Sequence, residues 1–92
     1  METIIYAEIN GHRISNAKGI KTVRQISPGV LDVLLEVPVK PFSVRWSIVP
    51  STPHTSFHFV DVDDTTKRIE LRQSGVISKT PASFRIQATT LD

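Results

Sequence analysis

The stretch that decides the fold is Phe42-Ser43-Val44-Arg45-Trp46-Ser47-Ile48-Val49, in which apolar and polar residues alternate with period two. Successive side chains of an extended strand point to opposite faces. Phe42, Val44, Trp46 and Ile48 therefore form one apolar face, and Ser43, Arg45 and Ser47 one wet face. A helix would need apolar residues three and four apart, and no part of the chain holds that spacing for three turns. The pattern predicts a half-buried antiparallel strand.

Working outward from it, the same reading recurs on both sides. On the N-terminal side, Val30 to Val37 is the longest and most apolar run. It is preceded by Ser27-Pro28-Gly29, where proline sets φ and glycine takes the positive φ of a type II turn. Ile20 to Ile26 reads as the strand before that turn. Thr3 to Ile9 is the first strand, ended by the hairpin signal Asn10-Gly11. His12 to Ile14 continues the hairpin, and Ser15 to Gly19 reads as a loose segment. Pro38 and Pro41 interrupt the ladder, because proline donates no hydrogen bond.

On the C-terminal side, Pro50-Ser51-Thr52-Pro53 is an extended loop and Ser56 to Val62 a strand that turns at Asp63-Asp64-Thr65-Thr66. Lys67 to Gln73 places Ile69 and Leu71 inward, with Arg68, Glu70 and Arg72 outward. Ser74-Gly75 opens a loop to about Pro81, and Ser83 to Thr89 places Phe84, Ile86 and Ala88 inward. Turn residues recurring every ten positions or so predict one domain over residues 1–92, an all-β, small antiparallel β-sandwich of about seven strands. Its predicted core is Leu31, Val33, Leu35, Val44, Trp46, Ile48, Ile69, Leu71, Phe84 and Ile86, with Val37 on the same face as Leu35.

One pattern disagrees with a simple monomer. Val30 and Leu34 point away from the face of Leu31, Val33 and Leu35, and Val60 and Val62 oppose Phe57 and Phe59. Either a bulge flips the register or this second face is covered. A core this small gains much from association, so a homo-oligomer is predicted.

Composition narrows the function classes. Eleven basic residues against nine acidic give a net charge of +2, and the two signs are interleaved, as in Lys67-Arg68-Ile69-Glu70-Leu71-Arg72. That describes a solvated strand face and lacks the one-sided clustering of a nucleic-acid binder. The chain holds no cysteine, so disulfides, thiolate metal sites and a cysteine nucleophile are excluded. Met1 leads straight into Glu2, and no apolar stretch is long enough for a signal or membrane segment. A soluble chain with no membrane partner is expected, in the cytoplasm or in a virion.

No motif points to catalysis. A Gly-x-Ser-x-Gly elbow is absent, and the four glycines are separated turn residues rather than a phosphate cradle. His54 and His58 are four apart, but one lies in a loop and the other on a strand, and zinc would want a third ligand. Asp61-Val62-Asp63-Asp64 lacks the glycine and distal glutamate of a calcium loop. No metal and no cofactor are expected. Loops carry contacts in such domains, so the candidate ligand-binding residues are His54 and Thr55 in the Pro50–Thr55 loop, then Asp63 and Asp64.

The chain also resembles the small β domains of phage and prophage tail fibres. Those domains carry a segment of the form "sv-R-x-x-x-G-x-Y-x-V-x-F", then a proline and further strands, and close on "D/S-x-x-F-x-V". Thr22-Val23-Arg24 with Gly29, Leu31, Val33 and Leu35 is similar to the first element, with Leu31 where an aromatic is usual. Pro38 or Pro41 follows it, and Pro81-Ala82-Ser83-Phe84-Arg85-Ile86 is similar to the last. The resemblance implies a non-enzymatic structural or receptor-binding module of a virion, commonly a homotrimer, contacting glycans or neighbouring virion proteins through its loops. A general protein-interaction domain of a bacterial cell, or a small hydrolase, stays open beside it.

Overall fold

A computed structural model describes residues 2–11, 13–40, 42–51, 55–73, 76–77 and 83–91. Among them there is no helix, hence none long and apolar enough to cross a membrane. The strands are β1 (Thr3–Asn10), β2 (Arg13–Lys18), β3 (Ile20–Ser27), β4 (Val30–Leu35), β5 (Val44–Pro50), β6 (Thr55–Asp61), β7 (Thr66–Gln73), β8 (Val76–Ile77) and β9 (Ser83–Thr90). One sheet runs β2-β1-β9-β5; the other runs β3-β4-β7-β6, with the short β8 also on β7. All pairs are antiparallel, and the two sheets pack together as a β-sandwich.

The two strands beyond the expected seven are β2 and β8. Ser15 to Lys18 was expected to be loose, yet it stays in the ladder as far as the Tyr6–Lys18 pair. A register shift between Tyr6 and Glu8, with Asn16 at φ 48, absorbs the extra residue. Gly19 then carries the chain from one sheet to the other. Its φ of +77 is open to glycine, and a Cβ there would stand 2.8 Å from the Ile4 carbonyl oxygen. Gly29 takes φ +81 in the β3–β4 turn, as a type II turn demands.

The core is built from Ile5, Ala7 and Ile9 of β1 with Phe84, Ile86 and Ala88 of β9, facing Leu31, Val33 and Leu35 of β4 with Ile69 and Leu71 of β7. Ile20, Val23, Val39 and Val44 complete it. Trp46 and Ile48, expected inside, are only half-buried, because β5 is an edge strand with no neighbour on its far side among the described residues. Phe42 is 92% exposed, since β5 begins two residues later and Phe42 never joins the alternation. Val37 is 61% exposed and Val39 is buried in its place. β4 ends at Leu35, whose N–H still bonds the Thr65 carbonyl in register at 2.8 Å, and the Pro38 segment then crosses between sheets.

The outer face of β4 is closed by the chain itself. Arg68 lies across from Asp32 and donates from Nε at 2.9 Å and Nη2 at 3.4 Å, which leaves Asp32 buried and Val30 and Leu34 half-buried. The hydrogen bond to Asp32 also raises the Arg68 guanidinium above its ordinary value. On the inner face, Lys67 is wholly buried. Its ammonium donates to the Asp61 carboxylate and to the carbonyls of Asp63 at 2.7 Å and Val39 at 3.3 Å. One lysine thereby ties β7, the β6–β7 turn and the crossover segment together.

Candidate functional site

The residues singled out from the sequence fall at opposite ends of β6. His54 lies outside the described residues. Thr55 opens β6 and is buried, while Asp63 and Asp64 follow its other end. Seven residues of strand at about 3.3 Å each keep the two groups roughly 20 Å apart, so they do not form one site.

Asp63 serves the turn. Its Oδ1 accepts from the Thr65 N–H at 2.8 Å, the Thr65 hydroxyl at 2.9 Å and the Thr66 N–H at 2.8 Å. These bonds, the Thr65 N–H first, hold its carboxyl below the ordinary value of 3.8. A depressed folded value stabilises the fold above the unfolded one, and that contribution disappears as pH falls through the folded value. Asp63→Ala is therefore expected to melt below the parent at pH 7. The gap should narrow once pH drops under 3.8, which thermal melts at neutral and at acidic pH would check. An unchanged gap would refute the ionic part of this role. Asp64 is exposed, and its carbonyl accepts from the Val39 N–H at 2.7 Å.

Two depressions lie beside Pro50, Ser51 and Thr55 instead. The first, of about 470 Å³, lies between the two sheets on their open side and is lined by Trp46, Ile48, Pro50, Thr55, Ser56, Phe57 and Phe59. Trp46 leans on Phe59 with ring centroids 5.2 Å apart, and behind the groove Phe57 meets Phe84 at 4.8 Å. Among the described residues no titratable side chain lines it. The indole N–H of Trp46 is enclosed, with no acceptor among the described residues.

The second depression, of about 450 Å³, lies on the outer face of the four-stranded sheet, against Glu8, Asn10, Ser15, Ser51, Ser83 and Arg85. Alternation along β1 and β9 puts these polar side chains outward because Ile9, Phe84 and Ile86 point inward. Glu8 is fixed by Asn16 Nδ2 at 2.9 Å and by the Tyr6 hydroxyl at 3.3 Å, while Ser83 Oγ reaches Asn10 Oδ1 at 3.0 Å. Arg85 stands opposite Glu8 in the ladder, yet it makes no hydrogen bond or ion pair among the described residues. Its guanidinium and the fixed carboxylate beside it offer donors and acceptors to a ligand.

Reading for loops missed this face, because its residues lie scattered over β1, β2 and β9. The signal available was the run of polar outward positions on β1 and β9. No group of three or more metal-ligating side chains stands together among the described residues. No family model, no curated protein and no solved structure matches the chain.

Proposed function

We propose that the chain is a non-enzymatic β-sandwich module of a fibre-like phage or prophage virion, working as a homo-oligomer. In this reading it recognises a hydroxyl-rich ligand, a surface glycan, on the outer face of its four-stranded sheet. One observation carries the ligand: Arg85, with no hydrogen bond or ion pair among the described residues, beside a Glu8 carboxylate already oriented by Tyr6 and Asn16. A carboxylate already oriented suits sugar hydroxyls, because little entropy is lost when it binds, and the planar Arg85 guanidinium beside it supplies donors. Ser51, Ser83 and Asn10 extend the same polar wall. The virion setting rests on the fibre resemblance.

A glycan array probed with labelled protein tests the ligand. Binding to a defined set of glycans is expected, weakened about tenfold or more in Arg85→Ala, since a hydrogen bond to a charged group contributes roughly 1.5–3 kcal/mol. Arg85 is exposed, so the variant should melt with the parent. A blank array, or equal binding by the variant, would overturn this site.

A further inference from the structure

We infer that the β5/β6 side of the sandwich is the contact surface for a second copy of this chain. The two copies pair edge to edge about one two-fold axis that passes between the two Ser47 residues and the two His58 residues. The inference rests on the homo-oligomer part of the reading above and is independent of the glycan.

Besides the two-residue β8, the described residues give the sandwich four edge strands, and they are not alike. The β2 edge carries a register shift, Asn16 at positive φ, and Arg13 and Lys18. The β3 edge carries two register shifts, with Lys21 and Arg24. Bulges and basic side chains are the usual devices that keep an edge from pairing. By contrast, β5 and β6 each hold an unbroken seven-residue register with no lysine, and the Arg45 and Pro50 of β5 stand toward its two ends. Both unbulged edges lie on the same side of the molecule.

Their backbone groups point outward in a definite pattern. The Ser51 N–H bonds the Ser83 carbonyl at 2.8 Å, so alternation turns Val49, Ser47 and Arg45 toward β9. The N–H and C=O groups of Ile48, Trp46 and Val44 then face away from the sheet. On the other sheet the Leu71 N–H bonds the Gly29 carbonyl at 2.8 Å, which turns Glu70 and Arg68 toward His58 and Val60. The backbone of Phe57 and Phe59 faces outward.

Self-pairing of β5 about Ser47 sets Trp46 against the partner copy's Ile48, each pair exchanging two hydrogen bonds. Arg45 then meets Val49, so no like charges oppose each other. Pro50, with no N–H to give, limits the ladder at its end. Pairing of β6 about His58 likewise sets Phe57 against Phe59. These two centres coincide: Trp46 rests on Phe59, and Ile48 lines the groove with Phe57, so Ser47 lies over His58 one sheet-spacing away. One axis perpendicular to the sheets satisfies both edges at once, and it turns two half-open apolar grooves into a continuous core. Identical antiparallel edges close with two copies, where the resemblance alone implied three.

The cysteine-free chain makes the test direct. Ser47→Cys places the two thiols opposite each other in a non-hydrogen-bonded pair, with Cβ atoms about 4.5–5.5 Å apart. His58→Cys does the same on the other sheet, and Ser27→Cys, on the β3 edge, is the exposed control. Under mild oxidation at micromolar protein and about pH 8, thiols near their ordinary pKa of about 8.5 are reactive. Both edge variants should form covalent dimers at least roughly tenfold faster than the control, since paired thiols share a millimolar effective concentration. Light scattering on the unaltered chain should return twice 10.3 kDa. Ile48→Lys should shift that mass to one copy with its β circular dichroism retained. Edge variants no faster than Ser27→Cys, or a one-copy or three-copy mass for the unaltered chain, would overturn the two-fold. Retention of Arg85-dependent glycan binding by such a protein would leave the ligand reading standing.

Discussion

Lys67→Ala is expected to destabilise the domain by about 3–5 kcal/mol, the range for removing one partner of a buried ion pair. The side chain is wholly enclosed, and its ammonium serves the Asp61 carboxylate and the carbonyls of Val39 and Asp63 together. Truncation leaves those acceptors facing a cavity, and each acceptor cut off from water adds roughly 1–3 kcal/mol in its own right. A domain of this size has a net stability of about 5–15 kcal/mol, so the variant should be near the edge of folding at 37 °C. Asp61→Asn keeps an acceptor in place at a position that is 26% exposed, and it should cost distinctly less. Urea denaturation of both variants gives the comparison. A loss below about 1 kcal/mol for Lys67→Ala would mean that the lysine reaches solvent and that the crossover is held by Val39 alone.

Phe84→Ala is expected to cost about 3–5 kcal/mol as well, by a different mechanism. Phe84 is almost fully enclosed near the start of β9, between Ile9 on one side and Pro50 on the other, with the ring of Phe57 tilted against it at 50°. Removing the ring opens a cavity between two sheets that cannot collapse without breaking two ladders. Phe57→Ala should cost less, because Phe57 is half-buried and already borders the open groove. A double-mutant cycle should return about 0.5–1.5 kcal/mol of coupling between the rings. Additive effects would show that the contact contributes only area.

The alternation at Val44, Trp46 and Ile48 is a local property, and it names the inward face of β5 correctly. It says nothing of what lies beyond that strand. Whether Trp46 is enclosed depends on strand order, and β5 is placed at an edge by pairings with β9 some forty residues away. The same limit explains Val37 and Val39. Alternation carried the β4 face on to Val37, but β4 ends at Leu35 and Val39 fills the core in place of Val37. Lys67 was equally hidden: period two puts it on the inner face with Ile69, yet a lysine reads as solvated until its three oxygen partners are in place.

Candidate ligand residues were least legible. Loop position singled out Asp63, which the fold spends on its own turn, and passed over Glu8 and Arg85, which sit on regular strands. Their distance in sequence is large and their distance in the ladder is one strand. By itself the sequence determined the all-β class, the strand faces and the turns at Asn10-Gly11, Pro28-Gly29 and Asp63-Thr66, because side-chain alternation and φ preferences act between neighbours. Tertiary structure alone decided which strands stand at the edges, that Lys67 is buried, and that two unbulged edges share one open side. Those are properties of long-range pairing, where each strand's surroundings are set by residues far from it in the chain.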